Sequence, residues 1–309
     1  MRSDDLVRAL LAEPPPLGGG TLSQAHTTSM SRTGSGVEIA LHFADSRSLQ
    51  RLSEGGADSA SRLYFGNEFC DHLIPSSRTL SEVLARSREL GLRFSLVTPM
   101  VTDSGIDALA RLFRSLPDGS EVIASDWGVL RLARTEFPSL IPIAGRLLCK
   151  FMKDPRLPSR DWTKLVPHGV FAPAFLDLLA SFGIERLDLD LPPHARPEDF
   201  RGPSMRLSMH RPYGFAAKGR ICRMGSLHLD RERKFLPGEP CRKECLDYVL
   251  AMTRGAAAGA GDLHTFQRGN TVFYRHSDEM EATIEELTDE GVVDRLVVSG
   301  DWNENRSAT

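Results

Sequence analysis

From Val37 onward, short β-branched or aromatic runs alternate with amphipathic stretches, and this rhythm constrains the fold more than any other feature of the chain. The predicted strands are VEIALHF from Val37, RLYFG from Arg62, RFSLVTPM from Arg93, EVIAS from Glu121 and LIPIAG from Leu140. RLDLDL from Arg186, MRLSMH from Met205, TVFYRH from Thr271 and RLVVSG from Arg295 complete the series. Helices stand between several of them. One is expected from Thr79 to Leu90, where Thr79 and Glu82 have capping-box spacing and Leu80, Val83 and Leu84 share a face. Another is capped by Asp103, with Ile106, Leu109, Phe113 and Leu116 at helical intervals until Pro117 and Gly119 stop it. Strands separated mostly by helices predict an α/β chain folded as a (β/α) TIM-barrel-like domain, complete or short of a unit, in preference to an open doubly wound sheet.

Some regions break the rhythm. Residues 1–35 carry PPPLGGG and a Ser/Thr-rich run too poor in periodic apolar residues to pack a core, which predicts a flexible leader. Residues 36–309 then form a single barrel-like domain. Lys150 to Val170 is rich in Pro and basic residues, and 214–269 carries Cys222, Cys241, Cys245 and the run GAAAGAG, the composition of a cysteine-bearing functional insertion.

A net charge of −3 with 26% charged residues describes an ordinary globular protein without the basic excess of a nucleic-acid binder. No apolar run is long enough to cross a bilayer and no basic-then-apolar secretory signal is visible, so a cytoplasmic protein is expected. Five cysteines, an odd number at uneven spacing, point to reduced thiols rather than a disulfide framework.

Cys70 follows the strand RLYFG and Cys222 lies beyond MRLSMH, so in a parallel barrel both stand past C-terminal strand ends, where such folds place their chemistry. Cys241 and Cys245 follow Pro240 and are spaced to begin a helix with both thiols on one face, its N-terminus favouring an anionic group. Four thiolates can serve a tetrahedral zinc or an iron–sulfur cluster, and one close pair with two distant single ligands is less like the paired motifs of structural zinc. The plain alternative is that buried cysteines act as small hydrophobes. Arg223, Arg242, Lys243 and Glu244 beside three of them favour a partly exposed anionic site instead. Cys149 ends the apolar run LIPIAGRLLC and is expected to be structural.

YFGNEFC at Tyr64 to Cys70 resembles the strand-then-cysteine segment of the collagenase-like peptidase family, peptidase family U32, in its UbiV-like branch. IASDWGVLRL from Ile123, LIPIAG from Leu140, MRLSMHRPYG followed by AAKGRIC, and the closing pair CRKEC resemble further segments of that branch. The resemblance runs from about Val37 to Trp302 and implies a [4Fe-4S] cluster on Cys70, Cys222, Cys241 and Cys245. It further implies oxygen-independent hydroxylation of a ubiquinone precursor or related aromatic substrate, a UbiU-like partner in a heterodimer, and prephenate as oxygen donor. A relative in the same group hydroxylates RNA uridines.

Three other side chains are candidates for catalysis. His210 ends the strand MRLSMH and is as well suited to proton transfer as to a structural hydrogen bond. Arg220 has the guanidinium geometry for a substrate carboxylate, with Glu239 or Glu244 as ordinary alternatives. Asp126 opens a helix after EVIAS, where a simple cap is the ordinary reading, and Arg211 beside His210 reads more simply as salt-bridged. No local nucleophile, base and acid announce a protease, and HExxH is absent. The sequence therefore points to an oxygen-independent hydroxylase or a cluster-bearing subunit of one, with a non-catalytic scaffold, a peptidase or an RNA-modifying relative as the alternatives.

Overall fold

The computed structural model describes residues 36–50, 52, 59–165, 169–219, 222–234, 236, 241–252 and 263–301, and the leader expected over 1–35 lies outside them. Eight parallel strands close into a barrel. They are β1 (Glu38–Phe43), β2 (Arg62–Gly66), β3 (Arg93–Thr98), β4 (Glu121–Ala124), β5 (Ile141–Ala144), β6 (Arg186–Leu189), β7 (Arg206–Arg211) and β12 (Val293–Ser299), the last pairing with both β7 and β1. Helices α1 (Ser46–Gln50), α2 (Ser77–Glu89), α3 (Asp103–Phe113), α4 (Trp127–Glu136), α5 (Arg160–Lys164), α6 (Pro173–Ser181) and α7 (Asp278–Asp289) lie between them.

Strand alternation divides the core in two. Outward residues such as Leu63, Phe65, Leu96 and Leu187 pack with helix residues such as Leu80 and Leu109. Ala40, Tyr64, Val97, Ile123, Ile143 and Val297 fill the barrel's centre. Burial on both faces is why these strands read as nearly continuous apolar runs. At the N-terminal end the interior is closed by ion pairs: Arg295 donates to Glu38 (2.7 Å) and Glu121 (2.8 and 2.9 Å), and Arg62 donates to Glu38 (2.7 Å).

The chain leaves the barrel after β7. An antiparallel sheet of β8 (Tyr213–Lys218), β11 (Thr271–Arg275), β10 (Thr265–Arg268) and β9 (Leu250–Met252), in that order, sits between β7 and α7. TVFYRH is therefore not a barrel strand. It pairs with β8 and β10, and its Phe273 packs with Phe215 and Phe266 against Phe69 and Leu147 at the barrel mouth. The inserted sheet thus begins before and ends after the 214–269 stretch.

Helix α2 is capped by Ser76, whose Oγ accepts from the Thr79 amide (3.1 Å), and Glu82 pairs with Arg78 (2.9 Å) instead of closing a box with Thr79. Helix α3 starts at Asp103 with Thr102 in the cap position, buries Leu109 and Phe113, and ends before Pro117. Among the described residues, no helix is long and apolar enough to cross a membrane.

Candidate functional site

A cavity of about 660 Å³ lies between the barrel's C-terminal mouth and the inserted sheet. His42, His210 and Ser299 reach it from strand ends, Asn67, Phe69, Cys70 and Arg146 from the loops that follow, and Tyr213 and Phe273 from the sheet. Cys222, Cys241 and Cys245 line it as well. Four thiols from three separate stretches of the chain therefore share one chamber with His210.

Each thiol is held by its own local turn. After β2, Asn67 Oδ1 accepts the amides of Phe69 (2.8 Å) and Cys70 (2.9 Å), bending the chain so that Cys70 leads into a short 3₁₀ turn, Asp71–Leu73. The Gly225 amide donates to Cys222 Sγ (3.2 Å) and the Lys243 amide to Cys241 Sγ (3.3 Å). Cys245 lies in the 3₁₀ turn Glu244–Leu246. The pair does not open an α-helix: Lys243 adopts φ 61°, turning the chain left-handed between the two cysteines, and Pro240 lies outside the described residues.

The space around the sulfurs is kept by glycine. A Cβ on Gly225 would stand 3.2 Å from Cys241 Sγ and 3.5 Å from Cys222 Sγ, and one on Gly269 would stand 3.3 Å from Cys245 Cβ. Gly269 also has φ +61°, which disfavours a side chain whatever the room. Burial pushes the free Cys70 thiol up to about 11 and Cys245 up to about 12, each raised further by the neighbouring cysteines. Four thiols in mutual electrostatic reach, with amides aimed at two of the sulfurs and glycine-made room beside them, supply the donor type that a thiolate-ligated iron–sulfur cluster takes. Among the described residues, no three His, Cys, Asp or Glu side chains are grouped closely enough to hold a metal ion.

Beneath the cavity lies a buried charge cluster. Arg146 donates to Glu68 (2.9 Å) and Asp190 (2.7 Å), Lys153 also pairs with Asp190, and all four side chains are at most 4% exposed. Burial alone would raise the Asp190 carboxyl, but Arg146 and Lys153 outweigh it and hold it well below the usual carboxylate range. Glu68 is lowered in the same way, Arg146 overcoming its burial. Beside this cluster, His210 Nε2 stands 3.4 Å from Asp188 Oδ2, and the Tyr64 hydroxyl 3.3 Å from Asp188 Oδ1. Arg295 donates to that hydroxyl (2.7 Å), joining the mouth to the ion pairs at the far end. Burial raises the Asp188 carboxyl to about 6, while burial and then the Arg146 charge hold the His210 imidazole well below its ordinary value.

Of the sequence candidates, the four cysteines and His210 meet at the cavity; Asp126 and Cys149 do not. Asp126 Oδ1 caps α4 by accepting the Gly128 amide (2.7 Å). Cys149 is buried in the main core with its thiol toward the Ala144 carbonyl (3.7 Å). Arg220 lies outside the described residues. Arg211 lines the cavity and its buried side chain pairs with Glu281.

His42, Tyr64, Glu68, Arg146, Lys153, Asp188 and Asp190 were not singled out from sequence. The available signal was RLDLDL, in which two aspartates alternate with leucines in a strand otherwise buried on both sides.

No protein-family model matches the chain, and no curated protein matches it. Among solved structures it is similar to a U32 peptidase, at 10% identity and a TM-score of 0.42, over 88% of this chain and 96% of that one. It is similar also to a glycoside hydrolase family 18 N-acetylglucosaminidase from Paenibacillus barengoltzii, at 11% identity and a TM-score of 0.41, over 87% of this chain and 97% of that one. A plant class V chitinase from Cycas revoluta matches at 10% identity and a TM-score of 0.39, over 87% of this chain and 95% of that one.

Proposed function

We propose that the chain is an iron–sulfur protein that carries one [4Fe-4S] cluster on Cys70, Cys222, Cys241 and Cys245 and uses the adjoining cavity for a small molecule. The observation that carries this reading is the arrival at one chamber of four thiols from three separate stretches of the chain, with Gly225 and Gly269 leaving room beside the sulfurs. Thiolates are the required ligands, and amides directed at Cys222 and Cys241 suit a charged sulfur better than a thiol. Because the free thiols hold their protons tightly, loading the site releases protons and is favoured at higher pH.

When bound, such a cluster supplies one-electron transfer, since four cysteine ligands leave no iron open to substrate. The chain's own residues bound the rest of the chamber. Arg146, neutralised by Glu68 and Asp190, fixes a rigid polar floor, and Tyr213 and Phe273 narrow the space from the sheet side and Phe69 from the barrel mouth. The resemblance in YFGNEFC and CRKEC extends the proposal to oxygen-independent hydroxylation of a quinone precursor or related aromatic substrate, with prephenate as oxygen donor and a UbiU-like protein as heterodimer partner.

The test is iron and acid-labile sulfide content, with EPR before and after reduction, on full-length protein purified without oxygen. About four irons and four sulfides per chain support the reading. Zinc alone, or no metal, overturns it.

A further inference from the structure

The cavity floor contains two imidazoles whose hydrogen-bond partners constrain their protons. His42 Nε2 lies 3.0 Å from the Gly66 carbonyl, which can only accept, so Nε2 carries a proton. His210 Nε2 faces the Asp188 carboxylate and is the donor there whenever that group is ionised. Neither Nδ1 has a protein hydrogen bond among the described residues, both side chains line the cavity, and their rings meet edge to face with centroids 6.1 Å apart. The floor therefore places two imidazoles beside whatever enters.

We infer that His210 and Asp188 form a proton relay that accepts the proton of a ligand's ionisable hydroxyl through His210 Nδ1 and stores it on Asp188. The ligand O–H bond breaks and an Nδ1–H bond forms; the Nε2 proton passes to Asp188 Oδ2, and the ligand keeps its electron pair as an oxyanion. Charge and protons balance within the three groups, and the ring ends neutral with its tautomer exchanged. Tyr64 is a positioning residue: Arg295 donates to its oxygen, which directs the phenol hydrogen toward Asp188 Oδ1 and leaves Oδ2 for His210. The 3.4 Å separation of ring and carboxylate is long, as such contacts often are before a ligand compresses them.

The surroundings decide where the proton rests. His210 is faced by Asp188 from β6 and Asp190 just beyond it, Tyr64 from β2, Glu68 from the loop that follows β2, His42 from β1 and Arg146 from beyond β5. Glu68 and Asp190 are engaged by Arg146, which places a guanidinium charge against any imidazolium. Asp188 has no such cation in direct contact; its burial outweighs the more distant charges of Arg295 from β12 and Arg186 from β6 and the hydrogen bonds from Ser208 and Tyr64, with Glu121 from β4 adding to the rise, so it is the stronger base of the pair. Among the described residues this carboxylate, not the ring, is the proton's resting place.

The inference rests on the cavity and not on the cluster, so the two can fail separately. ¹⁵N-histidine NMR of the full-length chain, purified without oxygen, reads the tautomer of His210 against pH. The expected result is a switch from Nε2–H to Nδ1–H, with the ring neutral throughout and a midpoint near pH 6. In Asp188→Asn the pH-dependent switch is expected to vanish, and in Tyr64→Phe, which keeps the ring, its midpoint moves. 2,4-Dinitrophenol, a stronger acid than a carboxyl titrating near 6, serves as the ligand probe: bound as the coloured phenolate it is expected to hold His210 as the Nδ1–H tautomer and to move the switch to higher pH, and His210→Gln loses the binding. A His210 ring that becomes cationic across this range, a ring that keeps one tautomer, or a bound phenol that stays protonated would each overturn the relay.

Discussion

Replacing Cys70, Cys222, Cys241 or Cys245 singly with alanine is expected to abolish iron retention, because each removes one of four thiolates at the chamber. Cys149→Ala is the internal control. Its thiol lies in the core, so the substitution should keep iron while lowering stability by about 1 kcal/mol. Equal iron loss in all five variants, read by metal analysis, would contradict the assignment. Asp190 presents a different kind of dependence. It is shared by Arg146 and Lys153 in full burial, so Asp190→Asn leaves two cations with only Glu68 between them and should cost about 3–5 kcal/mol in urea unfolding.

Among elements, the turns and caps make separable predictions. Gly225→Ala places a methyl group 3.2 Å from Cys241 Sγ and should impair cluster retention while far-UV circular dichroism stays that of the wild type. Asp126→Ala removes the α4 cap and should cost about 1 kcal/mol without touching iron content. The barrel strands were legible in the sequence because burial on both faces leaves continuous apolar runs such as RLYFG and EVIAS. TVFYRH has the same composition, and nothing in its residues states that its neighbours run antiparallel; direction is a property of the pair. Ser76 was hidden as a cap because Thr79, three positions on, has the same chemistry. The cysteines stood out because their residue type limits their roles. Nothing in the sequence distinguishes Arg146 and Lys153 from solvated charges, and only the fold sets Glu68 and Asp190 against them.

At the scale of the whole molecule, stability should respond to pH through two groups of opposite sign. Glu68, Glu121 and Asp190 are depressed by arginine or lysine partners that outweigh their burial. Their contribution is complete above the unfolded carboxylate value of about 4 and is lost as pH falls through their folded values, so acid weakens the fold. Asp188 behaves in the opposite sense. Its carboxyl, raised to about 6 by burial, favours the fold at low pH, and that contribution disappears as pH rises through about 6. A rise of about two pK units corresponds to roughly 3 kcal/mol of strain at neutral pH, held where the barrel interior meets the cavity floor. Asp188→Asn keeps the shape and removes the charge, so urea unfolding should show it more stable than wild type at pH 7.5, by up to about 3 kcal/mol, and nearly equal at pH 4. An equal gain at both values, or no gain at pH 7.5, would mean that the carboxylate is not held against its burial. A gain confined to high pH, joined with loss of the His210 tautomer switch, would show a fold giving up stability to keep a base at its chamber.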